Sequence, residues 1–154
     1  MISLANRLCS DISGVDFAVA DYELGLDLGK FDCAVIYDAL HHAEDPGSAI
    51  KTIYNSLNSG GMLITIEPGR GHAAASVHIM EKYGTTEKDM EYDLQREYML
   101  AAGFKTIKKY PRLSVLHWLD VSSLQREKDQ AIQFTGALYN LSKLGLSSVV
   151  VAIK

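Results

Sequence analysis

Apolar positions are densest between residues 31 and 68, FDCAVIYDALHHAEDPGSAIKTIYNSLNSGGMLITIEP, where their spacing predicts strand, helix, strand. Residues 33–37 are continuously apolar rather than alternating, the pattern of a central parallel strand covered on both faces. Asp45 and Pro46 are a helix start: the carboxylate can cap orphan amides, and proline sits where its missing N–H costs nothing. Ala49, Ile50, Ile53, Tyr54 and Leu57 then recur at helical spacing, which predicts one face packed on the sheet. Gly60 and Gly61 are expected to end that helix, and residues 62–66 to form a second buried strand. Such a strand, helix and strand in one sheet form a right-handed parallel crossover. Ligands of these sheets bind beyond the carboxyl ends of the strands, which here carry Asp38-Ala39-Leu40-His41-His42 and Glu67-Pro68-Gly69.

Upstream, Ile2, Leu4, Ala5, Leu8 and Cys9 form a helical stripe that Gly14 breaks. Residues 15–21 alternate, apolar on odd positions, and predict a strand ending at Asp21 with a turn through Tyr22 and Glu23. Downstream, Gly69-Arg70-Gly71-His72-Ala73-Ala74 satisfies G-x-G-x-x-A, and Asp89 falls about 20 residues on, as in a dinucleotide fingerprint. The context rejects that reading, because residues 73–102 hold no β-branched run and read as two helices parted near residues 84–86. The second helix, about residues 91–102, carries Leu94, Tyr98, Met99 and Ala102 on one face and stops at Gly103. Residues 104–110 and 147–153 read as strands, residues 112–121 as a short strand or loop holding Trp118, and residues 122–144 as helical.

The 31–68 stretch resembles the second half of a class I S-adenosylmethionine-dependent methyltransferase. The resemblance lies in the FDCAVIYDALHH run, the Asp-Pro pair opening the next helix, the LNSGGMLITIEP run, and the AAGF before the strand at residues 104–110. It implies an α/β fold with a Rossmann-like sheet, mostly parallel with an antiparallel C-terminal strand. It also implies that residues 1–154 are a partial, N-terminally truncated domain, without the first strand, the glycine-rich turn and the second strand. Asp21 then matches the acidic residue that accepts from the adenine amino group, with Tyr22 beside the ring. On its residues alone, Asp21 equally reads as a strand end that caps the next turn. The resemblance places the Tyr37 and Asp38 backbone near the cofactor's amino-acid end, and Leu40 and His41 beside the adenine or the methyl. With the glycine-rich turn missing, S-adenosylmethionine is the expected cofactor, bound weakly or not at all.

Methyl transfer from a sulfonium is an in-line displacement in which the protein aligns the nucleophile and excludes water. A hydroxyl acceptor is helped by a base, and histidine titrates in the useful range. His41, His42 and Glu67 are therefore the candidate catalytic residues, with Arg70 and His72 on the acceptor side. His42 has a second reading as a residue that orients its loop. His78 and His117 read as surface or core residues, and the five histidines show no metal-ligand spacing, so no metal is expected.

Composition narrows the partners. The chain has 154 residues, a net charge of −4 and no run of Lys or Arg, so nucleic acid is not an expected partner, and a small-molecule acceptor is. Two cysteines, Cys9 and Cys33, read as reduced core thiols, and with no spanning or leader-like segment they predict a cytoplasmic protein. In the family's strand order the absent strands stand between those at residues 15–20 and 33–37. An open edge would result, so either residues 15–20 slide across to pair with residues 33–37, or a second copy completes the sheet as a homodimer. A non-catalytic remnant or interaction module of the same fold is the alternative to an enzyme.

Overall fold

The computed structural model describes residues 2–111 and 147–154, as α1 (Ile2–Leu8), β1 (Phe31–Tyr37), α2 (Pro46–Ser56), β2 (Leu57–Pro68), α3 (His72–Ala75), α4 (Val77–Tyr83), α5 (Tyr92–Ala102), β3 (Thr106–Pro111) and β4 (Ser147–Ile153). The expectations for Trp118, His117 and the helical stretch at 122–144 lie outside the described residues. The four strands form one sheet in the order β1-β2-β4-β3. β1 and β2 are parallel, while β4 runs antiparallel to both β2 and β3. Three strands thus share a direction and the C-terminal one opposes them, as the resemblance implied.

The crossover forms as its spacing predicts. Asp45 caps α2, accepting from the Gly47 and Ser48 amides at 3.0 and 3.2 Å, with Pro46 in the first turn. Ala49, Ile50 and Ile53 turn inward and are buried. α2 ends at Ser56, ahead of the glycine pair, and Gly60 and Gly61 lie inside β2, where the register with β1 shifts. Gly61 allows a close approach there: a Cβ on it would lie 3.0 Å from the Asn58 carbonyl oxygen and 3.2 Å from that of Asp32.

Leu63, Thr65 and Glu67 of β2, Ser148, Val150 and Ala152 of β4, and Ile36 of β1 fall on one buried face. α2 and α5 cover it, and Leu40, Ile50, Leu57, Met90, Met99 and Phe104 complete the core. α5 stops at Gly103, whose φ of +114° only glycine takes easily.

Besides the helix end expected at Gly60 and Gly61, which lie inside β2, other expectations fail. β1 is not covered on both faces: only Ile36 is buried, and Val35 and Tyr37 are each 60% exposed. Its apolar run belongs to a strand that, among the described residues, has β2 as its one neighbour and helices on one face. Residues 15–20 are not a strand and do not slide across to β1. Alternation specifies a strand only when a neighbour takes up its backbone groups, and none of the described strands does so. Cys9 and Cys33 are free thiols, but neither is in the core: Cys9 is half-buried and Cys33 exposed on β1. No helix among the described residues is long and apolar enough to cross a membrane.

Candidate functional site

The carboxyl ends of β1 and β2 are joined by one buried carboxylate. Asp38, at a positive φ of 45°, turns the chain out of β1, and its amide donates to the Ile66 carbonyl at 2.8 Å. A 3-10 turn, Leu40–His42, follows without a capping side chain of its own. Glu67, fully buried at the end of β2, supplies what the turn lacks. Its Oε1 accepts from the Ala39 and Leu40 amides at 3.1 and 2.9 Å, and its Oε2 from the His41 amide at 3.3 Å and the His41 ring Nδ1 at 2.7 Å. Four donors on one carboxylate offset the cost of burying its charge. Leu40 is fully buried beneath the turn, a core side chain in this structure.

Residues 84–90 form a strap across these strand ends. The Lys88 amide donates to the His41 carbonyl at 3.1 Å and the Met90 amide to the Pro68 carbonyl at 3.0 Å. Lys88 Nζ reaches the carbonyls of Ala43 and Glu44, at 2.6 Å each. The strap delivers Glu87, which sequence reasoning missed: it is buried, and it faces three imidazoles. Its Oε2 lies 2.9 Å from His72 Nε2 and 3.5 Å from His41 Nε2, while its Oε1 lies 3.6 Å from His42 Nδ1. Burial pushes the Glu87 carboxyl up, but the hydrogen bond from His72 and the nearby His42, His41 and His72 outweigh it and hold the group below the ordinary glutamate value. The His41 ring lies 3.9 Å from that of His42 and 4.8 Å from that of His72, centroid to centroid. His42 Nδ1 donates to the Thr86 carbonyl at 2.8 Å and ties the strap to the turn. No spacing motif marks Glu87, because its role comes from folding back over residues more than forty positions upstream.

The glycine turn after β2 is also held. Asp89 accepts from the Gly71 and Ala73 amides at 2.9 and 2.8 Å. The acidic residue that mimicked a dinucleotide fingerprint thus occupies the very amides a phosphate would use, which fits the rejection of that reading. Arg70 is engaged by Glu91 through two hydrogen bonds, at 3.1 and 2.9 Å, with most of its side chain exposed. His78 is exposed and outside the cluster.

Asp21 and Tyr22 form the predicted turn. One oxygen of the exposed Asp21 carboxylate accepts from the Glu23 amide at 2.9 Å and caps the turn, with no strand before it. Tyr22 donates its hydroxyl to the Ala39 carbonyl at 3.1 Å. Glu23 accepts from the Glu44 and Asp45 amides at 3.0 and 2.7 Å. These bonds bring the 21–23 turn beside the end of β1, so Asp21, Tyr22, Tyr37 and Asp38 fall at one end of the sheet. Among the described residues no glycine-rich turn faces them.

Residues 1–65 match the family model described as a methyltransferase domain. No curated protein matches the chain by sequence. Among solved structures, the chain resembles phosphoethanolamine N-methyltransferase 2 of Haemonchus contortus in complex with S-adenosyl-L-methionine, at a TM-score of 0.66 and 16% identity over 100% of this chain and 41% of that one. It resembles an S-adenosylmethionine-dependent methyltransferase of Mesorhizobium loti at a TM-score of 0.68 and 16% identity, over 98% of this chain and 75% of that one. It also resembles a Haloferax volcanii protein described as a putative methyltransferase, in complex with the Trm112 methyltransferase activator, at 0.66 and 16%, over 99% and 67%. The chain therefore spans two fifths to three quarters of the length of these structures. Residues 1–65 thus carry the sequence pattern of a methyltransferase domain, and the fold of the whole chain is similar to that of S-adenosylmethionine-dependent methyltransferases.

Proposed function

We propose that this domain serves S-adenosylmethionine-dependent methyl transfer to a small-molecule acceptor, with a hydroxyl as the accepting group. The observation that carries the reading is the Glu67-pinned turn, whose His41 and His42 meet His72 of α3 at the carboxyl ends of β1 and β2, where a sheet of this kind binds its ligands. Asp21 and Tyr22 would hold the adenine edge of the cofactor, and the Tyr37 and Asp38 backbone its amino-acid end. Bound S-adenosylmethionine supplies a methyl already activated on sulfur. The chain's own part is to align the acceptor and take its proton. His42 and His72, the imidazoles of the cluster with access to solvent, suit that step; His41 and Glu67 are buried and position the turn.

A second reading, an interaction module completed by a partner or a second copy, is favoured by the exposure of Val35 and Tyr37 on β1. Calorimetry with S-adenosylmethionine tests the first reading. The chain alone, holding one edge of the pocket, is expected to bind weakly or not at all. A fusion that supplies the first two strands and glycine-rich turn of a related methyltransferase should bind at micromolar concentration and lose most of that affinity on Asp21→Ala. A folded fusion that fails to bind removes the methyl-transfer reading. Sedimentation of the chain and of Val35→Lys tests the second: a dimer abolished by the substitution supports it, and a monomer in both removes the homodimer.

A further inference from the structure

His41 and Glu87 face each other, Nε2 to Oε2, in a buried place at the carboxyl ends of β1 and β2. The Glu67 carboxylate only accepts, so the bond of 2.7 Å to His41 Nδ1 places the ring proton on that nitrogen. The other ring nitrogen, Nε2, faces Glu87 Oε2 at 3.5 Å, so in the neutral tautomer its lone pair and the carboxylate are two ligand atoms turned towards one point. Lys88, the cation next in sequence, is turned away onto the carbonyls of Ala43 and Glu44. His42 lies on the other oxygen, Nδ1 to Oε1 3.6 Å. One ligand atom from each of His41, His42 and Glu87 can be chosen so that all three lie within 4.8 Å of one another. Ligands held at 2.0–2.1 Å around a tetrahedral ion stand about 3.3–3.4 Å apart, close to the two spacings observed.

We infer that His41, His42 and Glu87 form a binding site for a divalent transition-metal ion of the zinc class. Imidazole nitrogens with one carboxylate suit zinc or cobalt and not magnesium or calcium, which prefer all-oxygen shells. Glu67 gives His41 the outer carboxylate partner that metal-bound imidazoles usually have, fixing both tautomer and ring. His42 joins by taking its other neutral tautomer, which gives up the bond to Thr86 and leaves the acceptor's proton to His72. His72 hydrogen-bonds Glu87 Oε2 from outside the three-ligand set and holds that carboxylate in place. The ion ties the 84–90 strap to the turn after β1, whether or not the domain transfers a methyl group. This reverses the expectation of no metal, which rested on spacing along the chain.

The test is titration of the chelator-treated chain with Co2+, followed by visible d–d absorption, then by Zn2+ competition and thermal unfolding. A single equivalent is expected to bind with a Kd below about 10 μM, to be displaced by Zn2+ but not by Mg2+, and to raise the unfolding temperature. Glu87→Gln and His42→Ala should each weaken binding at least about tenfold, His72→Ala less, and His78→Ala not at all. Should Glu87→Gln fail to fold, the exposed His42 decides. Absence of stoichiometric Co2+ binding by the parent chain overturns the site, and so does an equal loss in His78→Ala, which would mark binding by scattered surface histidines.

Discussion

Thr65 on β2 and Gln95 on α5 share a hydrogen bond, hydroxyl to amide oxygen, at 2.5 Å, with both residues fully buried. The Gln95 amide nitrogen continues the path by donating to the Met90 carbonyl at 2.6 Å. Sheet, helix and strap are therefore fastened at one polar point inside an apolar layer. Thr65→Val keeps the volume but strands the Gln95 oxygen, and should cost about 1–3 kcal/mol. Adding Gln95→Leu removes the stranded oxygen, so the double variant should lose less than the sum of the two single losses, although the Met90 carbonyl then lacks its donor. A double-mutant cycle by urea unfolding measures the coupling.

Glu67→Gln should be worse than its size suggests. The amide replaces one acceptor oxygen with a donor that must face a backbone N–H or the His41 ring. The loss is expected to reach about 2 kcal/mol or more. The amides of Leu40 and His41 should lose hydrogen-exchange protection in that variant, while those in β4 keep theirs. Unchanged protection in the turn would show that the carboxylate does not hold it.

Gly103→Ala combines two strains. The residue would keep a φ of +114°, and its new Cβ would lie 3.0 Å from both Cζ and Oη of Tyr54. We expect a cost of about 1–3 kcal/mol, eased in the background of Tyr54→Ala, which opens the space but leaves the backbone strain. Thermal unfolding of the single and double variants separates the two contributions.

Asp45 predicts a pH dependence. Hydrogen bonds from the Ser48 hydroxyl, at 2.6 Å, and from the Ser48 and Gly47 amides hold its carboxyl below the ordinary value of 3.8. A depressed carboxyl contributes stability that is complete above the unfolded-state value and is lost as pH falls through the folded-state value. Its contribution should thus be flat above about pH 4 and fade at lower pH. Asp45→Asn retains a cap and should flatten that part of the acid limb, whereas Asp45→Ala lowers the unfolding temperature across the whole range. Unfolding curves between pH 2 and 7 check both.

The 31–68 unit was legible because each signal in it is local: a cap, a proline, a helical stripe, two apolar runs. β1 misled because an apolar run shows that a strand can be buried and not that neighbours are present to bury it; Val35 and Tyr37 lie exposed. The alternation at residues 15–20 misled for the same reason. In the site, Asp38 to His42 and Glu67 were legible from their place at strand ends. Glu87 was not, since residues 84–90 carry no periodicity and acquire their role by lying across β1 and β2. Gln95 reads in sequence as an ordinary polar helix position, and only the meeting of α5 with Thr65 shows why it is inside.

β4 follows β3 in sequence yet lies between β3 and β2. During synthesis, β3 therefore leaves the ribosome with no place to dock, and β2 waits with one side unpaired until residues 147–153 are made. The sheet closes from its middle rather than growing outward strand by strand. Nascent chains stalled before residue 147 should be captured by chaperones and cut readily by protease in β3, and a frameshift ahead of that residue would remove β4 and leave β3 without its partner.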